Sequence, residues 1–309
     1  MSTKHLLDPS LMPLLDLAPA FEFSLENLQG FRDRGRAGTA LSDSEAHGVK
    51  RQEVIIAGSD CDVPCLLYVP IASKPKAAYL HIHGGGYVAG NVEGSDAMNT
   101  RIAATLGVAV LTVGYRLAPE HPVPAPLDDC YVALGWLHQH ADDLGFSSDR
   151  IAVGGESAGG GLAAALAIYA RDLGEYNICH QHLTYPMLDD RTGTAEAPGD
   201  PLVGEFVWNR RSNGFGWSSY LGGHPAQAPF VPARVDDVAG LPPTWMFTVG
   251  LDLFRDENIH YAQRLMAAGI ATELVVVPKA CHAFQWVADS PLTQRYIDSH
   301  LQALGRGLA

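Results

Sequence analysis

Ser157 is the residue with the clearest chemical potential, because it lies inside the glycine-rich run Gly154-Gly155-Glu156-Ser157-Ala158-Gly159-Gly160-Gly161. The run follows the apolar segment 151–153 and opens an alanine-rich helical pattern that extends to Leu173. A strand that turns sharply into a helix holds its central residue in a strained conformation, and flanking glycines make room for that turn. At such an elbow, the amide N–H of Ala158 and the helix dipole point at any oxyanion formed on Ser157. The pattern therefore predicts acyl transfer.

A serine hydroxyl needs partners, since it is a poor nucleophile at neutral pH without a base and a third group that fixes the tautomer of that base. Without such partners, the run would equally fit a plain glycine-rich turn between a strand and a helix. Asp252 lies two positions after the β-prone run 244–250, and His282 lies four positions after 272–278. Both follow predicted strands, so we expect them at the same sheet edge as Ser157. The chain order Ser, Asp, His is that of α/β-hydrolases.

A second glycine-rich segment, His83-Gly84-Gly85-Gly86, follows the predicted strand 77–82. Glycines allow a backbone to approach a substrate closely. We therefore expect the N–H groups of Gly84 and Gly85 to join that of Ala158 as an oxyanion hole, where the loss of one donor typically costs about 10²- to 10³-fold in rate.

Two other residues compete for the acid and base roles. Asp256 could take the place of Asp252, although it could equally be the N-cap of the following helix. The position of Asp252 beside a strand end favours Asp252. His121 could replace His282, but it precedes Ser157 and lies in a proline-rich loop typical of a structural element. For His282 the alternative is a loop histidine with no catalytic role.

Alternating strand and helix patterns surround these motifs and predict a mostly parallel sheet with right-handed crossovers. The predicted strands are 49–57, 63–69, 77–82, 108–115, 151–154, 178–185, 244–250 and 272–277. The predicted helices are 96–106, 127–140, 158–173, 257–268 and 292–304. The first two strands flank Gly58-Ser59-Asp60, a hairpin signal, and are expected to be antiparallel at the sheet edge.

Two segments depart from this alternation and predict additions to one α/β domain. Residues 1–45 form an N-terminal segment, with one or two short helices between Leu6 and Phe31 and a polar loop from Arg32 to Ser44. Residues 189–223 combine glycine, proline and asparagine with many aromatic side chains, which favours an inserted, partly helical lid. The two parts of the core are residues 46–188 and 224–309.

Composition limits the partners of the 309-residue chain. Its formal net charge of −13 disfavours nucleic acids and anionic membrane surfaces. The five cysteines have no CxxC spacing, which indicates reduced thiols and a cytoplasmic location. No signal-peptide core or run of 18 apolar residues is present, so we expect no stable membrane association.

Three HxH pairs raise the question of a metal site. In a strand, the two histidines of such a pair share a face, but no carboxylate or cysteine spacing completes a ligand set. We therefore predict no metal. The pairs are His81/His83, His138/His140 and His180/His182.

Together these motifs resemble the hormone-sensitive lipase family of carboxylesterases, the bacterial α/β-hydrolase group. The likeness covers most of residues 75–290 and rests on the following segments: HGGG at 83–86, the YRLAPEHP-type loop at 115–122, GESAGG at 155–160, the acid motif at 252–257 and the base His282. The resemblance implies an α/β-hydrolase fold, with a mostly parallel central sheet flanked by helices, and no cofactor.

Three positions depart from the family pattern. Glu156 stands where the family often has Asp, Leu253 where Pro is common, and Ala283 where Gly is usual. None of these changes removes a catalytic group. Glu156 could shift hydrogen bonding at the elbow, and Ala283 could narrow the loop that carries the base.

The resemblance also implies that residues 1–45 and 189–223 form a helical cap over the acyl pocket. Aromatic side chains of the insertion either anchor it or line that pocket, and the expected lining residues are Tyr87, Phe206, Trp208 and Phe215. Family members often dimerise, which leaves a homodimer open.

The implied activity is that of a serine carboxylesterase acting on a small-molecule ester with a short- to medium-chain acyl group. An amidase or arylformamidase would use the same machinery. A non-catalytic small-ligand receptor on this fold, as in plant gibberellin receptors, is the other alternative. The retained base, His282, favours the enzyme over the receptor.

Overall fold

Eight strands form the central sheet of the protein, in a computed structural model that describes residues 2–18, 21–58 and 60–309. The strands are β1 (Val49–Ile56), β2 (Val63–Pro70), β3 (Ala78–Ile82), β4 (Ala109–Val113), β5 (Ile151–Glu156), β6 (His180–Thr184), β7 (Thr244–Val249) and β8 (Thr272–Val277). Their order in the sheet is β1-β2-β4-β3-β5-β6-β7-β8. β2 runs antiparallel to β1 and β4, and all the other pairs are parallel. The predicted α/β-hydrolase fold is confirmed.

The antiparallel pair at one sheet edge agrees with the hairpin signal in the sequence. Ile56 of β1 is paired with Val63 of β2 at the end nearest the turn. Ser59 of that signal lies outside the described residues, as do Met1, Pro19 and Ala20 of the predicted N-terminal segment.

The helices cover both faces of the sheet. They are α1 (Leu14–Leu17), α2 (Leu25–Gly38), α3 (Asp96–Leu106), α4 (Ala125–Gln139), α5 (Ala141–Leu144), α6 (Ala158–Leu173), α7 (Arg210–Leu221), α8 (Arg255–Ala267) and α9 (Pro291–Gly307). Leu80 of β3 packs in the apolar cluster that contains α4, α6 and α8, whereas Tyr79 packs with α3 and α9. Successive side chains of a strand point to opposite faces, so the central strands are buried on both sides.

The N-terminal segment contains more helix than the sequence suggested. The predicted polar loop from Arg32 is wrong over residues 32–38, because α2 continues to Gly38. A capping box between Ser24 and Asn27 starts this helix, and buried Leu28 attaches it to the core. Because α2 has only a narrow apolar face and many charged residues toward solvent, the apolar periodicity that would predict a helix is weak in this segment.

The insertion at 189–223 contains one full helix, α7. Asn209 caps this helix by accepting hydrogen bonds from the amides of Arg211 and Ser212. α7 also contacts the N-terminal segment, since Ser212 Oγ donates to the carbonyl of Phe21 over 2.7 Å. The two segments that interrupt the α/β alternation therefore pack against each other.

Candidate active site

Ser157 occupies a strained turn between β5 and α6. Its φ of 58° and ψ of −122° lie in a region that residues with a side chain rarely adopt. The turn packs directly on the end of β3. A Cβ atom added to Gly155 or Gly159 would lie 2.0 or 1.9 Å from the carbonyl oxygen of Ile82. Only glycine fits at these two positions, which explains why they flank the serine.

Ser157, His282 and Asp252 form one hydrogen-bonded chain. His282 Nε2 lies 3.0 Å from Ser157 Oγ, and His282 Nδ1 lies 2.7 Å from Asp252 Oδ2. Because an ionised carboxylate only accepts hydrogen bonds, Nδ1 carries the proton and Nε2 is free to accept the serine hydroxyl. Asp252 is fully buried, and the exposed fractions of Ser157 and His282 are 5% and 6%.

Backbone contacts hold the acid and base loops together. The amide of Leu251, beside the acid, donates to the carbonyl of Ala280, near the base, over 2.9 Å. Asp252 Oδ1 accepts from the amide of Phe254 at 3.0 Å, which orients the carboxylate toward His282. Two loops from neighbouring parallel strands thus meet at the carboxyl edge of the sheet.

The rival acid and base lie elsewhere. Asp256 is exposed and pairs with Arg255 at 2.7 Å. It is not the N-cap of α8, because that position belongs to Phe254. His121 is exposed within the proline-rich loop. In residues 2–18, 21–58 and 60–309, His282 is the side chain that hydrogen-bonds Ser157 Oγ.

The predicted oxyanion donors lie beside the elbow. A Cβ atom added to Gly84 would lie 3.4 Å from Ser157 Cβ, so the two segments touch. Gly85 has a φ of 127°, which favours glycine. Across the described part of the chain, the amides of Gly84 and Gly85 donate no hydrogen bond to another protein group. Ala158 is the first residue of α6, whose first amides have no helical acceptor.

Glu156 forms a polar pair beneath the elbow. Its Oε2 lies 3.1 Å from His81 Nε2, and the other ring nitrogen of His81 lies 3.1 Å from Thr112 Oγ1. Burial favours the neutral acid, but several favourable interactions of the carboxylate, chiefly attraction and hydrogen bonding from His81, together hold the pKa of Glu156 below its ordinary value. The residue that departs from the family pattern therefore connects β5 with β3.

The four predicted pocket residues occupy different surroundings. The ring of Trp208 lies 6.3 Å from that of His282. Tyr87 stacks on Tyr220 at 4.0 Å and donates to the carbonyl of Met187. Phe206 packs in the buried cluster around β7 and α9, and Phe215 packs against Phe23 of the N-terminal segment. Of the four, Trp208 is the one whose ring lies near that of His282.

Two aromatic neighbours of His282 were missed by sequence reasoning. The rings of Tyr185 and Phe254 lie 4.5 and 5.4 Å from the His282 ring. Tyr185 directly follows β6, and Phe254 lies two residues after Asp252. The position of Tyr185 at a strand end and that of Phe254 beside Asp252 are the signals that would have identified them.

The pair His180/His182 takes part in buried hydrogen bonds, whereas the hydrogen bonds of His138 and His140 are exposed or part-buried. His180 contacts His182, and His182 contacts His300 of α9 at 3.1 Å. Burial lowers the pKa values of His180 and His300 to about 4, and it also lowers that of His182. No group of three or more potential metal ligands occurs among the described residues.

Hydropathy gives a separate finding about the helices. Over the described ranges, none of the helices is both long and apolar enough to span a membrane.

Comparison with known proteins links this geometry to a family. Residues 79–286 match a family described as alpha/beta hydrolase fold. Esterase LipI of Mycobacterium tuberculosis is 32% identical to the chain, over 91% of this chain and 88% of the relative. Carboxylesterase NlhH of the same species is 32% identical, over 98% and 94%. A solved structure titled Bacterial Heroin Esterase aligns over 100% of both chains, with a TM-score of 0.92 and 38% identity.

Proposed function

Because the chain belongs to the alpha/beta hydrolase fold family, which includes hormone-sensitive-lipase-like esterases, we propose that it is a serine carboxylesterase. The observation that carries this proposal is the hydrogen-bonded chain Ser157–His282–Asp252, with contacts of 3.0 and 2.7 Å. Its substrates are small-molecule esters with short- to medium-chain acyl groups.

The first half of the reaction forms an acyl-enzyme. His282 Nε2 accepts the proton of the Ser157 hydroxyl while Oγ attacks the carbonyl carbon of the ester. The carbonyl oxygen becomes an oxyanion that accepts hydrogen bonds from the amides of Gly84, Gly85 and Ala158. The imidazolium then gives its proton to the leaving alcohol as the ester C–O bond breaks.

The second half regenerates the serine. A water molecule gives a proton to His282 Nε2 and attacks the acyl carbon, which again produces an oxyanion. Collapse of this intermediate releases the carboxylic acid, and the proton returns to Ser157 Oγ. Asp252 accepts the Nδ1–H bond throughout, which keeps the histidine tautomer and stabilises the imidazolium.

In this proposal, residues 1–45 and 189–223 form a cap over the acyl site. The contacts between α7 and the N-terminal segment support a single two-part cover. The aromatic surroundings of His282 favour an uncharged acyl ester, because burying an unpaired charge among apolar side chains is costly.

Replacing the nucleophile tests the proposal. Ser157→Ala should lower the hydrolysis of p-nitrophenyl esters by about 10⁴-fold or more, because it removes the hydroxyl that hydrogen-bonds His282 and forms the acyl-enzyme in this proposal. Labelling by an organophosphonate should disappear as well. Circular dichroism and thermal unfolding of the same sample provide the control for folding.

Retention of ester turnover or of labelling by a folded Ser157→Ala protein would contradict the assignment. The same assay with anilides of matched acyl length distinguishes the amidase alternative. Faster anilide than ester hydrolysis by the wild-type protein would favour an amidase.

A further inference from the structure

The third glycine of the oxyanion loop, defined here as residues 83–86, is enclosed by the insertion. A Cβ atom added to Gly86 would lie 2.2 Å from the indole Cη2 of Trp208. From a second direction, a Cβ atom added to Gly216 of α7 would lie 2.8 Å from the carbonyl oxygen of Gly86. Gly86 also has a φ of 62°, a conformation that favours glycine. The insertion is therefore in close packing contact with the oxyanion loop.

A buried polar chain fixes the indole that makes this contact. Trp208 Nε1 donates to Asn213 Oδ1 over 3.1 Å, and Asn213 Nδ2 donates to the carbonyl of Thr192 over 2.7 Å. Asn213 is fully buried, so both bonds are shielded from water. Thr192 Oγ1 in turn donates to Glu257 of α8. The orientation of Trp208 is thus determined by partners on both the insertion and the core.

Core residues contact the oxyanion loop on both sides of Gly86. Tyr87, which follows Gly86, donates its hydroxyl to the carbonyl of Met187 over 2.9 Å. Gly84 abuts the elbow, where a Cβ atom would lie 2.9 Å from the carbonyl oxygen of Glu156. Gly86 lies between these two contacts, and there the insertion limits its movement.

We propose that Trp208, held by Asn213, is a positioning residue for the oxyanion loop. On this view the insertion does more than cover the substrate, because its indole sets the position of the amides of Gly84 and Gly85. The inference rests on the proposed function. Misplacement of catalytic groups by about 1 Å can cost about 10²-fold in rate, which sets the scale of the expected effect.

Substitutions of Trp208 separate positioning from simple lining of the pocket. Trp208→Phe should lower kcat for p-nitrophenyl acetate by about 10-fold and Trp208→Ala by about 100-fold, with KM changed less than about 3-fold. Affinity for a trifluoromethyl ketone, whose tetrahedral hemiketal adduct with Ser157 Oγ carries the oxyanion, should fall in parallel with kcat. Trp245→Phe is the matched control, since Trp245 is buried in β7 and stacks on His182.

A residue that only lined the pocket would behave differently. Its substitution would change KM and the preferred acyl length while kcat for the acetate stayed constant, and that result would overturn the proposal. If Trp208→Ala does not fold, Asn213→Ala provides the second variant. It leaves the indole in place without its hydrogen bond, and we expect a kcat loss of about 5- to 10-fold.

A double-mutant cycle tests the contact itself. Gly86→Ala should lower kcat because its methyl group meets the indole. In Gly86→Ala/Trp208→Ala that clash is gone, so the two losses should not multiply. The strain of a side chain at a φ of 62° remains in the double variant, so we expect its loss to be smaller than the product of the two single losses. Losses that multiply would mean that the two residues act independently, which would overturn the proposal.

The proposed function and this inference fail in distinguishable ways. If the wild-type protein neither hydrolyses esters nor reacts with a phosphonate, the proposed function fails. If wild-type turnover depends on Ser157 but the Trp208 and Asn213 variants keep the wild-type kcat, the positioning role alone fails.

Discussion

The proposed catalytic edge of the sheet and the proposed cap, meaning the N-terminal segment and the 189–223 insertion, differ in how far side chains contribute to their contacts. At the catalytic edge, main-chain hydrogen bonds fix the loops, such as the 3.0 Å bond from the amide of Ser157 to the carbonyl of Thr184. In the cap, main-chain bonds such as that from the amide of Gly204 to the carbonyl of Leu251 are accompanied by side-chain connections, such as the Phe23–Trp208 contact at 5.8 Å and the bond from Ser212 to Phe21. Main-chain hydrogen bonds tolerate many side-chain changes, so substitutions in the proposed cap act mainly through its side-chain contacts.

The largest expected effect concerns the acid at the catalytic edge. Asp252→Asn should lower kcat by about 10⁴-fold, because an amide in place of the carboxylate favours the wrong tautomer of His282. Asp256→Asn is the matched control, and we expect its kcat within about 2-fold of wild type, since that carboxylate pairs with Arg255 at the surface. Steady-state kinetics with a p-nitrophenyl ester measure both. A larger loss of kcat in Asp256→Asn than in Asp252→Asn would mean that Asp256 is the catalytic acid residue.

The difference between the strand ends and the side-chain contacts of the insertion explains which residues the sequence could predict. Ser157, Asp252 and His282 each lie within a few residues of a strand end, so strand patterns and chain order identified them. The contact between Trp208 and Gly86 joins residues that are far apart in the chain, and no local pattern encodes it.

Secondary structure in the cap was also harder to predict. Strands such as β8, at 272–277, were predicted with correct bounds because a short run rich in Val and Thr that ends at a proline is typical of a strand. The predicted helical segment ends at Phe31, whereas α2 continues to Gly38, because the polar residues after Phe31 are equally typical of an exposed loop and of the solvent face of a helix. Sequence reasoning likewise gave no hint of Asn213, whose role depends on two partners that only the fold assembles.

Acid should destabilise the core before it loosens the cap. Burial lowers the pKa values of His180 and His300 to about 4, below the value of about 6.5 in an unfolded chain. Between these values the unfolded state binds more protons, so the stabilisation is complete above about pH 6.5 and is lost as the pH falls toward 4. One such histidine accounts for about 3 kcal/mol at the acid limit. In the cap contact Arg32–Glu120, hydrogen bonding to Arg32 lowers the pKa of Glu120, so that pair persists to lower pH.

Urea unfolding at several pH values between 7.5 and 4.5 measures this loss. His300→Gln should reduce the dependence of the unfolding free energy on pH, because it removes one of the titrating groups. His224→Gln is the control, since His224 is exposed. An unfolding free energy that stays constant between pH 7 and pH 5 would contradict the prediction.

Glu156 adds a side-chain connection below the elbow, through its hydrogen bond to His81. Glu156→Ala would leave the buried ring nitrogen of His81 without its partner, and we expect a loss of about 1–3 kcal/mol in the free energy of unfolding. Glu156→Gln keeps an acceptor for His81 and should cost less. Chemical denaturation gives the stabilities, and kcat measured on the same samples separates stability from catalysis. Equal stability of the two variants would exclude the His81 bond as the cause.

The smallest expected effect lies in the attachment of the cap to the core. Arg32 of α2 donates to the carbonyls of Val88 and Ala118 and pairs with Glu120 through both terminal nitrogens, and 9% of its side chain is exposed. Arg32→Ala should raise KM about 2- to 5-fold and lower the thermal midpoint by a few degrees, with kcat within about 2-fold, because the covering segment loosens while the triad stays intact.

Arg211→Ala is the matched control for Arg32→Ala. Arg211 of α7 also forms an arginine–glutamate pair, in this case with Glu22 of the N-terminal segment, but 80% of the Arg211 side chain is exposed. Exposed pairs of this kind contribute little, because water and salt screen them, so KM and the thermal midpoint should stay at their wild-type values. Equal effects of the two substitutions would mean that the cap is held by its overall charge. A KM increase confined to Arg32→Ala would mean instead that buried, directional hydrogen bonds hold it.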